Sequence, residues 1–181
     1  MSDDTLVSMV QRGESEAFAY IVERYKIQIY NLMYRYSNSR EDAADMTQDV
    51  FCRAFERLNR YQKRNQFFSW LYTLALNYAK DWQKKKNRSR RKLAQFSAET
   101  GKNESISAHS LLEVDQEVDS LNEALATLPG DRREMVLLRY RHECTIKELV
   151  EIFELSESAV KMRLHRALED LRVELNNTDY G

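Results

Sequence analysis

The sequence predicts an all-α fold of two small helical domains, and three observations carry that expectation. Only Pro129 and four glycines, Gly13, Gly101, Gly130 and Gly181, punctuate the 181 residues, too few for the turns of a many-stranded sandwich or barrel. Apolar residues recur at spacings of three and four through most of the chain. Residues 97–110, rich in Ser, Asn, Glu and Gly, break that periodicity and read as a flexible linker. The expected organisation is a four-helix domain over 1–92, an acidic linker over 93–114 and a second helical domain over 115–177. A hydrophobic fraction of 43% suffices for one or two compact cores.

In the first domain, Asp3 or Asp4 can cap a short helix that Gly13 ends, because glycine tolerates the left-handed conformation there. A second helix, about 15–36, aligns Phe18, Ile21, Val22, Tyr25, Ile29, Leu32 and Met33 on one face. Ser39 with Asp42 resembles a capping box and opens a third helix to about 58. Its apolar stripe is Ala43, Met46, Val50, Phe51, Ala54, Phe55 and Leu58, and its opposite face carries Asp42, Asp45, Gln48, Asp49, Arg53 and Glu56. Residues 59–66 are polar and form a loop. A long fourth helix, about 67–90, begins apolar and ends basic.

The second domain starts with an amphipathic segment, 114–126, broken by Leu128, Pro129 and Gly130. A helix over about 131–141 follows. Thr145 and Glu148 form a T-x-x-E capping box for a helix ending at Phe153. After the turn 154–156, Ser156 caps a last helix over about 157–175, with Val160, Leu164, Ala167, Leu168 and Leu171 on its apolar face.

Several classes fall away on composition. No apolar run approaches the roughly 18 residues of a membrane span, and residues 1–12 carry no cleavable signal pattern, so a soluble cytoplasmic protein without membrane insertion is expected. Cys52 and Cys144 stand alone, which points to neither a disulfide framework nor a zinc site; both are expected to be buried thiols, and no cofactor is implied. The formal charge of -1 hides a segregation. Residues 80–92 hold eight cations against Asp81, whereas 99–123 hold seven acids against Lys102.

Three constellations bear on chemistry. The helices either side of the 154–156 turn form a helix-turn-helix, whose second helix can enter a major groove. Leu149, Ile152, Leu155, Val160 and Leu164 converge inside, while Ser158, Lys161, Met162, His165 and Arg166 face outward, with Arg163 close by, where base edges and phosphates would lie. An ordinary helical hairpin with a solvated basic face fits the same pattern. Secondly, Tyr61, Phe67, Phe68, Trp70, Tyr72, Tyr78 and Trp82 interleave with Arg60, Lys63, Arg64, Lys80 and 84–86, the combination that holds single-stranded nucleic acid. Phe67, Leu71, Leu74 and Tyr78 share a face and read as core, which leaves Tyr61 and Phe68 or Trp70 as candidate stackers. Thirdly, Asp42, Asp45 and Asp49 share a helix face and suit metal binding, acid–base work, protein docking or mere solvation. No histidine joins them, and no nucleophile triad is present.

Five segments stand out in order: GESEAF at 13–18, EDAADMTQDVF at 41–51, FSWLYTLALN at 68–77, LPGDRREMVLLR at 128–139 and TIKELVEIFELSESAVKMRLHRAL at 145–168. Read together, they resemble the extracytoplasmic-function class of bacterial RNA polymerase sigma factors, in the sigma-70 family. The resemblance implies that Asp45, Gln48, Asp49 and Phe51 grip the beta-prime clamp helices of core RNA polymerase, with the beta flap a further contact. It implies that the loop 59–66, with Asn59, Arg60, Tyr61, Lys63 and Arg64, takes a flipped non-template base of the minus-ten element, as base-flipping proteins do. Phe68, Trp70, Asn77, Lys80, Asp81 and Lys84 join that site, with Asn77, Asp81 and Lys84 near the upstream end of the element. Ser158, Lys161, Met162, Arg163, His165 and Arg166 fall on the minus-thirty-five recognition helix. The acidic linker would thread toward the polymerase active site and RNA exit path. A non-enzymatic initiation factor follows, serving a stress or envelope regulon and held by an anti-sigma factor, with promoter DNA bound both as duplex and as non-template single strand.

The chain departs from the family pattern at Thr73 and Leu76, where basic residues are frequent, at Glu154 for a turn glycine, at Val150 for a small alanine, and at Phe55 for a tryptophan, expected to be a tolerated core exchange. Two other classes compete with this reading. A stand-alone helix-turn-helix regulator would bind duplex DNA without polymerase, and a metal-dependent hydrolase would use Asp42, Asp45 and Asp49. Near neutrality overall suits a protein that binds free DNA weakly, because counterion-release affinity follows local cations and is opposed by nearby acids.

Overall fold

The computed structural model describes residues 1–62, 66–96 and 116–178. They form α1 (Asp3–Gln11), α2 (Ala17–Ser37), α3 (Arg40–Arg57), a 3-10 turn (Leu58–Arg60), α4 (Phe67–Phe96), α5 (Gln116–Thr127), α6 (Gly130–Tyr140), α7 (Ile146–Phe153) and α8 (Glu157–Thr178). No strand occurs among the described residues, and no helix among them is long and apolar enough to cross a membrane. The chain divides into two compact units, Met1–Glu104 and Ser105–Gly181.

In the first unit α2 is central, packing on α1, α3 and α4. Ile21, Ile29, Leu32 and Met33 of α2, Met46 and Val50 of α3 and Phe67, Leu71 and Tyr72 of α4 are all buried where these helices pack; each buried aliphatic or Phe side chain stabilises the unit by about 1.5–3 kcal/mol. The buried Tyr72 hydroxyl accepts from Arg35 at 3.2 Å, which satisfies a polar tip within the core. Local signals set most boundaries, and tertiary contacts shift the rest. Ser2 caps α1, accepting from the Thr5 N–H, so neither expected cap, Asp3 or Asp4, serves: both lie in the first turn, and Asp3 accepts from Arg24 and the Tyr25 hydroxyl of α2. Asn38, left-handed at φ 53°, ends α2. Ser39 accepts from the Asp42 N–H, but the Asp42 carboxylate takes Lys86 Nζ at 2.9 Å. The helix expected to stop near Arg90 continues to Phe96, and so occupies the start of the expected linker. Residues 97–115, most of that linker, lie outside the described residues.

In the second unit α8 packs on α5, α6 and α7. Met135, Leu138, Leu149, Ile152, Val160, Leu164 and Ala167 form its core. Leu155 is half-buried, and Leu168, read as core, is 39% exposed. Both halves of the Thr145–Glu148 capping box are made. Glu154 adopts φ 53° and ψ 45°, turning the chain out of α7, and Ser156 accepts from the Ala159 N–H to start α8. The full α7–turn–α8 geometry is thus present despite a non-glycine turn residue. Of the thiols expected to be buried, Cys144 is and Cys52 is exposed; burial, then the nearby Glu148 carboxylate, pushes Cys144 up to about 12.

Candidate docking and nucleic-acid interfaces

Along α3 the acidic stripe serves two ends. Asp45 and Gln48 are exposed. Asp49 accepts from the Tyr78 hydroxyl at 2.7 Å, and the Arg53 guanidinium lies over the Tyr78 ring at 4.5 Å. Burial, with the Asp49 hydrogen bond and charge behind it, pushes Tyr78 up to about 12. Asp42 pairs with Lys86, whose ammonium also sits 4.2 Å over the Trp82 ring. Two of the three carboxylates thus tie α3 to α4, and among the described residues no cluster of His, Cys, Asp or Glu has the arrangement of a metal site. Phe51, expected as a polymerase contact, is 6% exposed and meets Phe18 edge-on at 6.4 Å; its ring is core that a partner reaches only as the floor of a groove.

That groove, about 850 Å³ between α2 and α3, is lined by Phe18, Val22, Ile27, Gln48, Phe51 and Phe55 among others. Phe55 is 42% exposed and Ile27 63%. The core assignment of Phe55 is therefore corrected: it packs edge-on against Phe18 at 5.1 Å with its outer side open. Sequence reading missed Ile27, yet a signal existed, since an isoleucine off the buried stripe of an amphipathic helix has no core to enter.

Around the loop that follows α3, the expected minus-ten residues separate into exposed polar groups and packed rings. Asn59 and Arg60 project from the 3-10 turn into solvent. Tyr61 is 6% exposed, edge-on to Phe67 at 5.5 Å and tilted against Trp70 at 5.2 Å. The candidate stacker is therefore an anchor, because two neighbouring rings offer it more apolar contact than the loop does. Lys63 and Arg64 lie outside the described residues. Phe68 is half-buried, with Tyr25 and Tyr72 each at 5.5 Å, and Trp70 is half-buried on Tyr61 and Phe67. Further along α4, Asn77, Asp81 and Lys84 are exposed at helical spacing, Asp81 pairing with Lys84 at 3.7 Å, and Lys80 is half-buried. Leu76 is 1% exposed, so a position often basic in the family faces the core here.

On α8, Ser158, Lys161, Met162, Arg163, His165 and Arg166 are all exposed, opposite the buried Val160, Leu164 and Ala167. Lys161 pairs with Glu157 at 2.5 Å and holds its carboxyl below the usual range. His165 lies 3.6 Å from Glu169. Among the described residues Arg163 and Arg166 make no ion pair, which leaves two guanidiniums and the 53%-exposed Met162 on offer.

Comparison with known proteins agrees with this architecture. The family model for sigma-70 region 2 matches residues 21–89 and that for sigma-70, region 4 matches 119–171. The ECF RNA polymerase sigma factor SigW of Bacillus subtilis is 30% identical, covering 94% of this chain and 95% of its own. The ECF RNA polymerase sigma-E factor of Haemophilus influenzae is 30% identical over 93% of each. Among solved structures, CnrH in complex with the cytosolic domain of CnrY is similar in fold at TM-score 0.68 and 21% identity, covering 98% of this chain and 99% of that one. The sigma factor RpoE in complex with the anti-sigma factor NepR from Bartonella quintana is similar at TM-score 0.67 and 18% identity, covering 88% and 96%. With both halves matched in order and full-length relatives at this identity, the chain belongs to the extracytoplasmic-function sigma factors of the sigma-70 family.

Proposed function

We propose that the protein directs RNA polymerase to promoters by gripping the beta-prime clamp helices through α3, with the beta flap as a second contact. Asp45 and Gln48 make the polar contacts, Asp49 adds charge while bonded to Tyr78, and Phe51 supports the floor of the adjoining groove. Asn59, Arg60, Lys63 and Arg64 take the flipped minus-ten base, with Tyr61 holding the loop and Phe68 and Trp70 supporting the aromatic wall. Asn77, Lys80, Asp81 and Lys84 follow the single strand upstream, and Ser158, Lys161, Met162, Arg163, His165 and Arg166 read the minus-thirty-five duplex. On this reading residues 1–92 bind polymerase and the minus-ten element, 93–114 link the domains and 115–177 bind the minus-thirty-five element. Strand opening is favoured by binding unpaired bases, while the phosphodiester chemistry belongs to the polymerase, so the protein is not an enzyme. It acts in the cytoplasm, and an anti-sigma factor covering the α2–α3 groove is its regulator.

The observation that carries this reading is the exposed Asp45–Gln48 pair beside an open apolar groove, a polar rim around a hydrophobic centre as at protein interfaces. Replacing both with alanine should weaken retention of core polymerase by at least about tenfold, since each hydrogen bond involving a charge contributes about 1.5–3 kcal/mol, while the helical content stays unchanged. Unchanged retention in a pull-down removes the docking assignment.

A further inference from the structure

The final residue of α1 reaches the turn that launches the minus-ten loop. Gln11 Nε2 donates to the Leu58 carbonyl at 2.9 Å, with a longer contact of 3.4 Å to the Tyr61 carbonyl. The Leu58 carbonyl also accepts from the Tyr61 N–H at 3.0 Å, closing the 3-10 turn. Leu58 is 1% exposed, so its oxygen sits where water has little access, and the Gln11 amide takes the lone pair that the turn leaves over. A primary amide has two N–H donors and can serve two carbonyls at once. α1 is itself fixed from the other side: Leu6 and Val7 are buried, Asp3 accepts from Arg24 and Tyr25, and Arg24 donates to the Met1 carbonyl at 2.7 Å. Tyr61 in turn is pinned by its ring to Phe67 and Trp70. Asn59 and Arg60, the exposed residues of the turn, therefore stand between Leu58 and Tyr61, each held by contacts about 50 residues distant in sequence or by the α4 aromatic cluster.

We propose that Gln11 is a positioning residue for base selection, a cap donated by α1 that sets the orientation of Asn59 and Arg60. This rests on the reading of the loop as the minus-ten reader. The mechanism is preorganisation: a turn held before binding loses less conformational freedom on meeting a base, and the benefit falls on the base whose edge it fits. A carboxylate at position 11 would set acceptor against acceptor, whereas an ammonium restores a donor.

The test uses holoenzyme reconstituted with the full chain and a promoter mapped by run-off transcription, in four versions that differ only at the minus-ten base read by the loop. The ratio of open-complex formation between the best and worst base is compared for wild type, Gln11→Ala, Gln11→Glu and Gln11→Lys. Gln11→Ala and Gln11→Glu should compress that ratio by about three- to tenfold, the size of one lost hydrogen bond, with core retention unchanged, and Gln11→Lys should recover most of it. A variant that slows all four promoters equally, with the ratio intact, reduces Gln11 to a structural cap and overturns the proposal. Asn59→Ala with Arg60→Ala distinguishes the other failure: if wild type discriminates bases and this double variant discriminates equally well, the loop is not the reader and both readings fall.

Discussion

At the scale of single residues, Glu154 shows how a departure from the family pattern is accommodated. It takes φ 53°, a conformation in which its Cβ crowds the following carbonyl at about 1–2 kcal/mol for an L-residue. The buried Leu149, Ile152 and Val160 on either side hold the turn closed all the same. Asn38 occupies the same region at the end of α2 with less strain, because its short polar side chain suits it. Glu154→Gly should therefore stabilise the second unit by about 0.5–1 kcal/mol, the relieved strain exceeding the entropy that glycine adds to the unfolded chain. Chemical denaturation followed by circular dichroism measures it. A lower midpoint for the glycine variant would mean that the glutamate side chain contributes a contact worth more than the strain.

Between elements, the decisive contacts join α3 to α4. Tyr78 donates to Asp49 and lies under Arg53, while Lys86 spans Asp42 and Trp82. A double-mutant cycle of Tyr78→Phe and Asp49→Ala should give a coupling of about 1 kcal/mol, typical of one net hydrogen bond; simple additivity would show the pair to be energetically idle. The alkaline limb supplies a second readout. Because the folded state holds the Tyr78 proton up to about 12 and the unfolded chain releases it near 10, the contribution is intact below pH 10 and is lost as pH rises toward 12. Tyr78→Phe should flatten that limb without abolishing it, since Tyr25 and Tyr61 are also raised by burial. These contacts mark the limit of what the sequence makes legible. The α7 capping box, the Ser39 cap and the exposed face of α8 are written in neighbouring residues and can be read directly. The diversion of Asp3 to Arg24 and of Asp42 to Lys86 depends on partners tens of residues away, and that of Tyr61 on rings across a loop, where periodicity carries no information. The exposure of Phe55 is hidden in the same way, since an apolar position on a stripe does not reveal whether a neighbouring helix closes over it.

For the whole molecule, a formal charge of -1 is compatible with DNA recognition only if cations are placed where phosphates arrive, and the structure distinguishes cations available for that from those already engaged. Lys161 is held by Glu157, Lys86 by Asp42 and Lys84 by Asp81, whereas Arg163 and Arg166 make no ion pair among the described residues. A guanidinium without an intramolecular partner releases a full share of condensed counterions when it meets phosphate; a paired ammonium first surrenders its own carboxylate and gains less. In holoenzyme binding to a promoter, Arg166→Ala should therefore lower the slope of log affinity against log salt by about one, and Lys161→Ala should lower it by distinctly less. Titrations between low and moderate salt give both slopes in one experiment. Equal slopes for the two variants would mean that the Glu157–Lys161 pair opens at no cost when DNA binds, and a steeper loss for Lys161→Ala would place the principal phosphate contact at the start of α8 instead of one turn further along.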